Sequence, residues 1–105
     1  MTFNIGDVIE YVNEYGERKR GSISEVSSDM DSYEEMELKD GIPYYASKKL
    51  TASENKRRKA AKKPLLSSPV FAPVKEKNMD TVFLTVYPSL KRDTIPDYVP
   101  IREVS

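Results

Sequence analysis

"GDVIEYVNEYGERKRGSISEV" (residues 6–26) is the stretch that decides the fold class. Val8 to Val12 is a β-branched and aromatic run that follows Gly6-Asp7, a turn-like pair. "NEYGER" (13–18) breaks at Gly16, as a hairpin loop requires. The next run, 18–26, carries Gly21 in its interior. A glycine inside a strand often marks a bulge or a sharp bend, which small barrels need at their corners. Two short strands joined by a tight loop, the second one bent, predict a mostly-β chain.

The downstream sequence continues in the same style. Residues 27–32 form a polar loop, and "YEEMELKDG" (33–41) alternates Met36 and Leu38 with Glu35 and Glu37, the period of a half-buried strand. Lys39-Asp40-Gly41 predicts a tight turn into "IPYYAS" (42–47), and "KKLT" (48–51) reads as a single helical turn that sends Leu50 inward. Ser53 is a plausible N-cap, Glu54 suits a first helical turn, Lys62 and Lys63 suit a last one, and Pro64 stops propagation. A short basic helix over 54–63 follows, with no clear apolar stripe. Residues 64–78 hold three prolines and read as an extended connector. Leu65, Leu66, Val70 and Phe71 make it too apolar to wave freely, so part of it is expected to pack on the strands. "MDTVFLTVYP" (79–88) is the strongest strand, with Val82, Leu84 and Val86 opposed to Phe83, Thr85 and Tyr87. Both faces are largely apolar, so it is either covered on both sides or meets a partner. In the tail, 99–104 reads as a short edge strand. The units are therefore 1–52 (barrel strands), 53–78 (basic, proline-containing connector) and 79–105 (C-terminal strand and tail).

The charge is unevenly distributed along 105 residues whose formal net charge is zero. Residues 1–55 hold twelve acidic and six basic side chains; residues 56–77 hold eight basic and one acidic; residues 78–105 hold three basic and four acidic. The basic connector either folds back on the acidic module or projects as an arm toward phosphate or an acidic protein surface. Cys and His are both absent. That removes disulfides, thiolate nucleophiles, Cys-ligated metals and the commonest general base. No nucleophile elbow, phosphate-cradling glycine loop or metal motif takes their place, so no enzyme, no cofactor and no metal is expected. The first residues lack a basic n-region and a long apolar run, and the longest apolar run is too short for a bilayer. An intracellular, cytoplasmic protein is the simplest reading, with no membrane partner.

The order of strand, glycine-bent strand, strand–tight turn–strand and terminal turn, in "GDVIEYV" (6–12), "RGSISEV" (20–26) and "MELKDGIPYYASKKL" (36–50), resembles the SH3-like small barrels of the Tudor-like and KOW-like groups. The resemblance covers about half the chain. It departs where no fifth strand follows "KKL" directly; residues 81–87, across a long insertion, are the candidate. The resemblance implies a non-catalytic binding module for nucleic acid, modified peptides or other proteins. In style the chain also resembles small bacteriophage proteins, which would place it in a host cytoplasm.

Three constellations are candidates for a site. Lys56, Arg57, Arg58, Lys59, Lys62 and Lys63 can neutralise phosphates without reading sequence; the run has no interleaved aromatics for stacking. Tyr11, Tyr15, Tyr33, Tyr44 and Tyr45 either gather as an aromatic cage or, the better reading, divide between core and loops. Asp29, Asp31, Glu34 and Glu35 lack the spacing and central glycine of a calcium loop and read as solvated. The expected function is docking on nucleic acid, or on a nucleoprotein machine, through the basic connector. The alternative is a protein–protein adaptor or inhibitor, viral in type, that uses Phe83, Tyr87 and the tail, with 81–87 adding to a partner's sheet. A small-molecule substrate is not expected.

Overall fold

The computed structural model describes residues 3–88 and 95–104. Of the tail read over 79–105, residues 89–94 and 105 lie outside the described residues.

The strand β1 (Val8–Val12) pairs antiparallel with β2 (Arg18–Ser28). The loop between them is organised by Asn13, whose side-chain oxygen accepts from the amides of Tyr15 (3.0 Å) and Glu17 (2.9 Å) while Gly16 supplies a φ of 77°. The strands β3 (Glu35–Lys39) and β4 (Ile42–Ala46) form a hairpin in which Lys39 faces Ile42. Its two-residue turn, Asp40-Gly41, has φ of 52° and 79°, the left-handed pair that an Asp-Gly turn adopts. β5 (Phe71–Pro73) adds to β4. β6 (Val82–Tyr87) pairs with β2 on one side and with β7 (Asp97–Pro100) on the other. The result is a four-stranded sheet in the order β1-β2-β6-β7 and a three-stranded sheet in the order β3-β4-β5.

The core lies between the two sheets. Tyr11, Ile23, Val26, Val82, Leu84, Val86 and Val99 come from the larger sheet and Leu38 from the smaller, joined by Val74 just after β5 and by Ile101. The larger sheet is strongly curled. Laid flat, β1 and β7 would stand about 14 Å apart, three strand spacings. Yet the Tyr11 hydroxyl on β1 donates to the Asp97 carboxylate on β7 at 2.7 Å. The fold is thus mostly β, a half-barrel with one helix, compatible with an SH3-like barrel.

Gly21 is required by proximity and not by a bulge of its own. A Cβ there would come within 2.8 Å of the Tyr87 carbonyl carbon and of Val86 Cγ1. The bulge sits beyond it, where the register shifts between Ile23 and Glu25. The tail also departs from expectation: its strand ends at Pro100, and Ile101–Glu103 turns into a 3-10 helix. Arg102 ties that turn to a second 3-10 segment, Glu76–Thr81, through Glu76 (3.1 Å) and Asp80 (2.7 Å).

Candidate nucleic-acid interface

The helix α1 runs over Lys48–Ala60, so it begins six residues before the expected start at Glu54 and stops short of Lys62. Its N-cap is Ser47, not Ser53: the Ser47 hydroxyl accepts from the Leu50 amide at 3.1 Å. The "KKLT" turn is therefore the first turn of this helix. Glu54 lies in mid-helix, 3.6 Å from both Arg57 and Arg58.

The chain leaves the smaller sheet at Ala46 and rejoins it at Phe71, and these two residues are register partners. Residues 47–70 are thus an arm inserted between β4 and β5. The arm is held to itself: the Thr51 hydroxyl accepts from the Val70 amide (3.2 Å), Asn55 Oδ1 accepts from the Leu66 amide (2.9 Å), and Arg58 donates to the Pro64 carbonyl (3.3 Å). At 3.6 residues per turn Thr51, Glu54, Asn55 and Arg58 share one face. All four are half-buried, and residues 61–70 return along that face. No residue of α1 is fully buried. The radius of gyration of 16.4 Å, against about 13 Å for a compact chain of this length, fits an arm that stands off the sheets.

The opposite face of α1 is free. Lys49, Ala52, Ser53 and Lys56 are exposed on it, with Lys48 and Lys59 exposed at one margin and Arg57 at the other, and it carries no carboxylate. Among the described residues the ion pairs of the basic run go only to Glu54, inside the helix; none reaches the acidic strands. Arg58 differs from its neighbours because its side chain is partly covered and bound to Glu54 and Pro64. Lys62 and Lys63 lie just past the helix and close it: the Lys62 and Lys63 amides donate to the carbonyls of Lys59 (3.2 Å) and Arg58 (2.8 Å).

In two places positive charge stands where local stability argues against it. Lys48 and Lys49 occupy a first turn with no acidic residue, against the helix dipole. Lys62 takes a left-handed φ of 58°, where glycine is the easier residue. Sequence reasoning missed Lys48 and Lys49 as members of the cationic face. Ser47 was the available signal, but Ser53 followed by Glu54 gave the stronger helix-start pattern.

No protein-family model, curated protein or solved structure matches this chain.

The remaining candidates disperse. Tyr11 is buried in the core, where desolvation first, and then the hydrogen bond and negative charge of Asp97, push its hydroxyl well above the usual tyrosine range. Tyr15 is 76% exposed at a loop tip, while Tyr33 and Tyr45 stack on each other at 4.2 Å between ring centroids. Asp29, Asp31, Glu34 and Glu35 are exposed, and among the described residues no group of three or more acidic side chains is placed to hold a metal. Among the described residues no helix is long and apolar enough to cross a membrane. Phe83 is half-buried and Tyr87 exposed on the outer face of β6. β6 has both edges hydrogen-bonded, to β2 and β7, so it cannot add to a partner's sheet.

Proposed function

We propose that this chain is a non-enzymatic binding module that grips the phosphate backbone of nucleic acid with the free face of α1, its half-barrel serving as an SH3-like scaffold. One observation carries the reading: an exposed helix surface with Lys48, Lys49, Lys56, Arg57 and Lys59 and no exposed carboxylate of its own. Phosphate contacts of this kind position a protein without reading sequence, and each makes binding fall with salt.

Fluorescence polarisation with labelled duplex DNA and single-stranded RNA, at low and physiological salt, tests it. Lys56, Arg57, Lys59, Lys62 and Lys63 remain in the site; Arg58 supports the arm and is left intact in the test. Replacing Lys48, Lys49, Lys56 and Lys59 together with Gln is expected to flatten the salt slope on single strands by about 3, at roughly 0.7 per lost contact. The helical circular dichroism should persist. No binding by the wild type at low salt would sink the reading.

A protein partner is the second reading, favoured by a 310 Å³ open cavity beside the edge strand β7 that Phe83 and Tyr98 line. Tyr98 is 67% exposed there, and Tyr87 extends the same outer face. Tyr98→Glu should then release a partner while leaving nucleic-acid binding unchanged.

A further inference from the structure

We propose that the nucleic acid this arm takes is single-stranded, and that one unpaired base is received in the cleft between the first turn of α1 and the Glu76–Thr81 segment, against the Tyr33–Tyr45 stack. This rests on the phosphate-binding reading and adds which form of the polymer the site takes.

The cleft has a volume of 610 Å³, within the range of about 300–1,000 Å³ typical of small-ligand sites. Its apolar lining is the Tyr33–Tyr45 pair, with ring planes 30° apart, together with Met30 and Leu50. The Asn78 amide donates to the Tyr33 hydroxyl at 3.1 Å, which fixes the ring before any ligand arrives. Around the pair stand Lys48, Lys49, Lys75 and Lys77, and Glu34 is the only carboxylate in the lining. Among the described residues none of these four lysines is ion-paired. An aromatic platform ringed by unpaired cations matches a nucleotide: a π-face for the base and positive charge for its phosphates.

Lys49 belongs both to the cleft and to the free face of α1, and Lys48 lines the cleft at that face's margin. A strand whose base occupies the cleft therefore meets Lys56 and Lys59 as it continues along the helix, over roughly 15 Å from Lys49 to Lys59. A duplex can use the helix cations but not the cleft, because its bases are paired and stacked on one another. The basic run has no aromatics in sequence; the fold supplies them from β4 and from the loop before β3.

The test uses the full chain with a labelled oligothymidine and a blunt duplex matched in length, by fluorescence polarisation at low and physiological salt. The single strand is expected to bind more tightly. Tyr33→Leu, which keeps apolar bulk over the core, should weaken single-strand binding roughly tenfold and leave duplex binding unchanged. Tyr33→Phe, which keeps the ring, should bind like the wild type. Should Tyr33→Leu fail to fold, the exposed pair Lys75→Gln/Lys77→Gln carries the test: it should lower the salt slope on single strands by about 1.4 and leave the duplex slope alone. Duplex binding as tight as single-strand binding, or variants that shift both ligands equally, would overturn the cleft while the phosphate grip stands. Absence of binding to either ligand at low salt would overturn both.

Discussion

Gly21 and Tyr11 show how single residues set the curl of the larger sheet. At Gly21 the chain passes so close to the end of β6 that a methyl group meets backbone atoms of Tyr87, which cannot swing aside as a long side chain would. Gly21→Ala is expected to destabilise the fold by about 2 kcal/mol, read as a lower denaturant midpoint at unchanged slope. Tyr11 acts from the other edge, its hydroxyl reaching Asp97 across the concave face. Tyr11→Phe should cost about 1 kcal/mol at neutral pH. The same contact gives a pH dependence whose sign is fixed. Folding raises the tyrosine pKa above its unfolded value near 10, so the stabilisation is fully present below about pH 10 and is lost as pH climbs from there toward the folded value. Thermal melts taken between neutral and strongly alkaline pH should show a steep decline in the wild type and a shallower one in Tyr11→Phe.

The helix and its return segment form an element with little apolar surface, held by polar side chains. Asn55 is central because it satisfies the Leu66 amide, which would otherwise have to find water. Asn55→Ala is expected to weaken the arm by about 1 kcal/mol and to speed hydrogen exchange at Leu66, while the amides of β2 and β6 keep their protection. The elements were unequally legible in the sequence. β1, β3, β4 and β6 were readable because alternation and a left-handed Asp-Gly turn are local signals. The start of α1 was not, because Ser47 caps a turn whose Lys48 and Lys49 oppose the dipole, whereas Ser53-Glu54 places a capping residue directly before an acidic one. The cationic face gained two lysines through this hidden turn.

For the whole molecule, the register pair Ala46–Phe71 makes the arm separable. Replacing residues 47–70 with a two-residue Asn-Gly turn should leave a cooperatively melting half-barrel that no longer binds nucleic acid; loss of cooperative melting would mean that the arm is part of the core. The cleft was beyond sequence reading for a different reason. Tyr33, Tyr45, Lys48 and Lys75 come from separate segments, and only the meeting of β4, α1 and the 3-10 turn puts them around one space. The pairing of β2 with β6 has a consequence of another kind, in time. Ser28 faces Val82 and Ser22 faces Tyr87, so the central ladder of the larger sheet joins segments separated by the whole smaller sheet and the arm. Closing so long a loop before its contacts can reward it places refolding toward the slow, millisecond-to-second end for small domains. Until then β2 waits as a bare edge with Ile23 and Val26 uncovered, and Arg18, Lys19, Arg20 and Glu25 along it are the charges that discourage the wrong strand from pairing there first.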